Sequence, residues 1–211
     1  MIFGMKPVSL IVMMAGVLCA AGIALAEDTR ALSDGGRPGE SLTVEQLVAS
    51  VRNSRESTRS FEEAIYSSLL DKPLIVRGVL RFTPPSRLEK DVQEPYRERY
   101  LVEGDRVTFE SERRHVTKTI SLDDYPGLRG FVDAFRATLA GDVAKLTQAY
   151  DTSLDGTRRK WTLWLYPRDQ AGKSMVKSIE LSGAEGRIDM ITVYNPDGDR
   201  SVMTLSQERI P

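Results

Sequence analysis

The sequence predicts an α+β fold: a large antiparallel sheet that curls, with helices covering its apolar concave face. Three observations point to it. A long, strongly two-sided strand runs through Leu74, Val76, Leu80 and Phe82. Further short strands follow, separated by turn sequences. One helical insertion breaks that rhythm, after which sheet spacing returns.

Residues 1–26 read as an export signal rather than as part of the fold. Lys6 gives a positive start, Val8 to Ile23 form an apolar run, and Ala24-Leu25-Ala26 is a small-x-small cleavage site before Glu27. Cys19 follows Leu18, where lipid attachment would need a small residue. Removing 26 of the 211 residues leaves 185 and no cysteine, which excludes disulfides, thiol nucleophiles and cysteine metal sites from the mature chain. Lys6 is the only charge lost, so 28 basic residues face 30 acidic ones. That balance argues against a nucleic-acid partner. No later apolar run approaches the ~20 residues of a membrane span. A soluble monomer is expected.

Residues 27–41 are polar and carry Gly35, Gly36, Pro38 and Gly39, the mark of a flexible leader. Residues 42–211 have the length of a single domain. Its first helix is signalled by Thr43 three residues before Gln46, a capping box, with Leu42 and Leu47 placed as a hydrophobic staple. Leu47, Val48 and Val51 form its apolar stripe, and it should end near Asn53. Phe61, Ile65 and Leu69 recur at helical spacing. The turn Asp71-Lys72-Pro73 and the strand beyond it instead favour a hairpin, and we read a strand.

In the strand after Pro73, Leu74, Val76, Leu80 and Phe82 share one face, and Ile75, Arg77, Val79 and Arg81 the other. Gly78 marks a bulge or a close approach of backbones. Pro84-Pro85 ends the strand. Strands are expected at 96–103, 106–110 and 116–122. Leu128, Phe131, Val132, Phe135 and Leu139 then repeat as a helix face between Pro126 and Gly141. Asp142 can cap a second helix carrying Val143, Leu146 and Tyr150. Trp161, Leu163 and Leu165 return to strand spacing, followed by strands at 175–181, 188–194 and 201–205. Glu185-Gly186 and Asn195-Pro196-Asp197-Gly198 supply their turns.

Catalytic chemistry finds little support. His115 is the single histidine and sits among Glu112, Arg113, Arg114 and Lys118, a solvated setting. No serine stands in a G-x-S-x-G elbow. Asp123-Asp124 precedes a helix, where unpaired N–H groups favour carboxylates. Asp197-Gly198-Asp199 is explained by its turn. No metal-ligand spacing and no phosphate loop is present, so neither cofactor, metal nor catalytic residue is expected. The surplus lies instead in Phe82, Tyr96, Tyr100, Phe109, Phe131, Phe135, Trp161 and Trp164, a set that builds either a packed core or a pocket for an acyl chain.

The runs LLDKPLIVRGVLRFTPPSRLEK, LVEGDRVTF, LRGFVDAFRATLAGD, WTLWLYPRD and IELSGAEGRIDMITVYNPDGDRSVMTL resemble the LolA family of periplasmic lipoprotein carriers, over roughly Leu42 to Leu205. The resemblance implies an unclosed antiparallel β half-barrel with helices over its concave apolar face. It also implies acylated cargo, an inner-membrane exporter and an outer-membrane acceptor. The family's R-P-x-x-F run, whose arginine ties the lid to the barrel, meets Pro84 and Leu88 here. The chain stops at Pro211, before the family's extra C-terminal segment, and so resembles a shorter relative. The expected function is to bind acyl chains of a lipoprotein or lipid and deliver them toward the outer membrane from the periplasm. Leu74, Val76, Leu80, Phe82, Leu88, Tyr100, Val102, Trp161, Leu163 and Leu165 are the expected groove, and Leu128, Phe131, Phe135 and Leu139 the lid. The alternative is an envelope sensor or interaction module built on the same half-barrel.

Overall fold

The computed structural model describes residues 42–51, 57–83, 86–140 and 142–207, with only the backbone at 135, 139 and 140. The expected signal and leader, the Pro84-Pro85 stop and the end of the first helix near Asn53 lie outside the described residues.

Helix α1 (Val44–Val51) opens the fold. Its start is capped reciprocally: Gln46 N–H donates to Thr43 Oγ1 at 3.2 Å and Thr43 N–H to Gln46 Oε1 at 3.0 Å. Six strands follow: β1 (Ser57–Tyr66), β2 (Leu74–Thr83), β3 (Arg87–Glu94), β4 (Glu98–Glu103), β5 (Arg106–Ser111) and β6 (Val116–Ser121). A 3-10 turn (Leu122–Asp124) leads into α2 (Pro126–Ala140) and α3 (Val143–Ala149). The chain then forms β7 (Tyr150–Thr157), β8 (Lys160–Pro167), a short α4 (Gln170–Met175), β9 (Ser178–Ala184), β10 (Arg187–Tyr194) and β11 (Arg200–Gln207).

The strands make one unclosed antiparallel sheet in the order β6-β5-β4-β3-β2-β1-β11-β10-β9-β8-β7. Its edges are β6 and β7, and the chain passes from one to the other through α2 and α3. A sheet of this many twisted strands curls, and the helices that join its two edges pack on its concave side. Inner-face and helix residues accordingly belong to a single core.

Alternation decides which residues face inward. In β2, Val76, Leu80 and Phe82 are buried while Arg77 is exposed. At Gly78 the pairing with β3 slips: Arg77 stands opposite Glu94 and Gly78 opposite Val92. A Cβ on Gly78 would lie 2.0 Å from the Asp91 carbonyl oxygen, so the backbones approach as closely as the sequence suggests. β1 is a strand, its Phe61 and Ile65 turned inward.

Several expectations need correction. The strand expected at 96–103 begins at Glu98, because Pro95, Tyr96 and Arg97 make the turn from β3. Tyr96 stands under the Arg113 guanidinium at 4.8 Å instead of in the sheet. The strand expected at 175–181 begins at Ser178. Met175 ends α4, which Asp169 caps by accepting from Gly172 N–H at 2.6 Å. The strand at 116–122 ends at Ser121, and Leu122 turns into the core. β7 has no counterpart in the sequence reading: its exposed edge leaves only Tyr150 fully buried, so it carries little apolar alternation.

Candidate functional site

The concave face is lined much as the strand periodicities imply. Val76, Leu80, Phe82, Leu88, Tyr100, Val102, Trp161, Leu163 and Leu165 are all buried, and Leu74 is half-buried at one end. Tyr100 packs on Phe109 with ring centroids 4.9 Å apart. Above them lie Leu128 and Phe131 of α2, 2% and 5% exposed. The side chains of Phe135 and Leu139 lie outside the described residues. The described inner-face side chains and those of Leu128 and Phe131 belong to one buried core.

Trp164 departs from the expected aromatic lining. It alternates away from Trp161 onto the convex face and stacks on Tyr166 and Tyr194 at 6.4 and 5.7 Å. That face is otherwise a ladder of charge: Glu89 accepts from Arg81 at 3.1 Å and from Arg99 Nε and Nη2, each at 3.1 Å, and Arg87 reaches Glu103 at 2.8 Å. Net of burial, which opposes it, these arginines hold the Glu89 carboxyl below its ordinary range.

The inner face also contains charge that the apolar reading missed. Lys90 Nζ donates to Glu63 Oε2 at 2.5 Å, with both side chains almost fully buried. The Lys90 ammonium lies 5.2 Å above the Phe61 ring. Nearby, Glu98 accepts from the Tyr100 hydroxyl at 3.0 Å and from Ser111 Oγ at 3.3 Å. The signal for this cluster was available. Lys90 shares a face with Leu88 and Val92, and Glu63 with Phe61 and Ile65, so the period that buries the apolar residues buries the charges too.

Helix α2 is fastened to the sheet by two arginines. Arg129 donates to Asp105 Oδ1 at 3.1 Å and to Asp123 Oδ1 at 2.7 Å. Arg136 donates to the Gly104 carbonyl and pairs with Asp133 at 3.5 Å. Both therefore grip the β4–β5 turn or its neighbourhood from α2. Asp123 serves this fastening rather than the α2 N-terminus. Asp142 caps α3 as expected, accepting from Lys145 N–H at 3.1 Å. His115 is exposed in the β5–β6 turn, where its φ is 51°. Among the described residues no group of three His, Cys, Asp or Glu could hold a metal ion. No described helix is long and apolar enough to cross a membrane.

The architecture is therefore an open half-barrel with a helical lid over a greasy inner face. The family model described as outer membrane lipoprotein carrier protein LolA-like matches residues 36–207, and the chain belongs to that family. A search of curated proteins found no match. Among solved structures the chain is similar to a LolA superfamily protein from Nitrosomonas europaea, at 12% identity and a TM-score of 0.43, over 81% of this chain and 96% of that one. It is similar to the Mycobacterium tuberculosis lipoprotein LppX at 10% identity and a TM-score of 0.39, over 80% and 98%. A putative outer membrane lipoprotein-sorting protein domain from Vibrio parahaemolyticus aligns at 10% identity and 0.40, over 77% and 88%.

Proposed function

We propose that this protein is a periplasmic, non-enzymatic carrier that takes acyl chains of a lipoprotein or other lipid between α2 and the concave face and passes them toward the outer membrane. The observation that carries the reading is the state of the lid. Leu128 and Phe131 occupy the apolar face that a cargo chain would need, and exposed ion pairs hold α2 in place.

The energetics suit exchange rather than storage. A ~16-carbon chain offers roughly 12 kcal/mol gross, at about 0.8 kcal/mol for each buried methylene. Binding at full value would make release slow. Cargo must first displace the lid's own side chains, which offsets much of that gain. Exposed ion pairs contribute only about 0–1 kcal/mol each, so they close the lid without locking it. An exporter in the inner membrane and an acceptor in the outer membrane are the partners that family membership suggests.

Vesicles carrying a fluorescent triacylated lipopeptide test the proposal. The protein should draw label into the soluble fraction and release it to a second vesicle population. Label that stays with the donor vesicles at every protein concentration would contradict it.

A further inference from the structure

A second feature lies at the end of the inner face where α1 meets two hairpin tips. Leu42, Leu47, Arg158, Arg159, Trp161 and Glu185 line a cleft of about 430 Å³. Its position follows from local structure. Glu185 and Gly186 turn from β9 to β10 with φ of 49° and 75°, and a Cβ on Gly186 would stand 2.5 Å from the Ser50 carbonyl oxygen. The hairpin tip is thus packed against α1. The neighbouring β7–β8 turn is fastened to it, Glu185 N–H donating to the Arg158 carbonyl at 2.7 Å.

The cleft joins three kinds of group. Its wall is apolar, from Leu42 and Leu47. Its rim carries the exposed guanidinium groups of Arg158 and Arg159, neither of which forms an ion pair among the described residues, against the single carboxylate of Glu185. Its third element is Trp161, 2% exposed, whose Nε1–H has no hydrogen-bond partner among the described residues. Buried indole N–H groups ordinarily find an acceptor. A cleft whose wall includes a residue with an unpaired donor and whose rim carries two cations outside any ion pair matches an oxyanion, and the leucines match the first methylenes of a chain.

We propose that this cleft binds the anionic head of an acylated amphiphile, with its oxygens on Arg158, Arg159 and the Trp161 indole and its chain directed along the inner face. The inference rests on the carrier reading and adds the charge of the cargo. A carboxylate and a phosphate ester share the required chemistry.

Titration with dodecanoate, dodecyl phosphate and neutral dodecanol tests it. Both anions, or the one that matches the natural head, should bind about tenfold more tightly than dodecanol. The R158Q/R159Q double variant alters only exposed side chains and should erase that preference while leaving dodecanol affinity unchanged. Glu185→Gln should strengthen anion binding two- to threefold, by roughly the effect of one exposed charge. The indole N–H resonance of Trp161 should move with the anions and not with dodecanol. Whichever anion shows the larger arginine-dependent preference identifies the source. Equal affinity for all three probes, or a preference that survives R158Q/R159Q, would overturn the head-group site and leave the carrier reading standing. Failure of every probe to bind would overturn both.

Discussion

Lys90 on β3 and Glu63 on β1 meet across the strand that separates them. Lys90 pairs with Leu80 and Glu63 with Val76, so the ion pair spans β2 over Gly78, which has no side chain to obstruct it. Pairing and glycine belong to one arrangement on the concave face.

Breaking half of that pair should be far worse than removing all of it. Lys90→Met leaves Glu63 buried without its cation and should cost about 3–5 kcal/mol. The double change Lys90→Met with Glu63→Leu should restore most of the loss. Urea unfolding of the three proteins measures this, and equal destabilisation by the single and double variants would contradict the pairing argument.

Gly78→Ala tests the close approach directly. The added methyl meets backbone, which cannot rotate away, and the expected loss is roughly 1–3 kcal/mol. A melting temperature at or above that of the parent would show that β2 and β3 separate easily at the bulge.

The fastening of α2 should govern access to the groove. Arg136→Met removes the bond to the Gly104 carbonyl and the pair with Asp133 while keeping an apolar stem. The closed form should lose about 1–2 kcal/mol. Acyl-probe affinity should rise or hold, because population shifts toward the open lid. Parallel weakening of stability and probe binding would mean that Arg136 supports the groove itself.

Alkaline pH should destabilise the fold through two tyrosines. Tyr100 is held well above the ordinary phenol range by burial first and by the Glu98 carboxylate second; Tyr150 is raised by burial and then by Asp169. The folded chain keeps these protons after the unfolded chain begins to lose them near pH ~10. Their contribution is therefore complete below that pH and is lost as pH rises above it, at about 1.4 kcal/mol per pH unit for each tyrosine. Urea midpoints should fall less steeply above pH ~10 in Tyr100→Phe than in the parent. Identical slopes would remove Tyr100 from the account.

Much of this was legible because the sheet is regular. The alternation around Leu74, Val76, Leu80 and Phe82 placed β2 and its inward face, and the Thr43–Gln46 and Asp142 caps placed two helix starts. β7 was not legible, since an edge strand with a polar surface has no alternation to read. Nor was the charged cluster on the concave face. Glu63, Lys90 and Glu98 were passed over because charge is normally a sign of solvent, although their registers set them inward. The cleft beside Trp161 depends on α1 and two hairpins far apart in sequence, and only folding brings Arg158, Arg159 and Leu42 together.

An acyl chain that enters between α2 and the concave face must come within reach of Trp161 and not of Trp164. Trp161 and Trp164 lie three residues apart on β8 and report on opposite faces of the sheet, one buried inside and the other stacked outside. Two single-tryptophan proteins, Trp164→Phe and Trp161→Phe, can be titrated with a bromine-labelled fatty acid that quenches indole fluorescence on contact. Trp161 should be quenched saturably at the concentration where the acid binds, with Trp164 left bright. Quenching of Trp164 alone, or binding that leaves Trp161 unquenched, would contradict it.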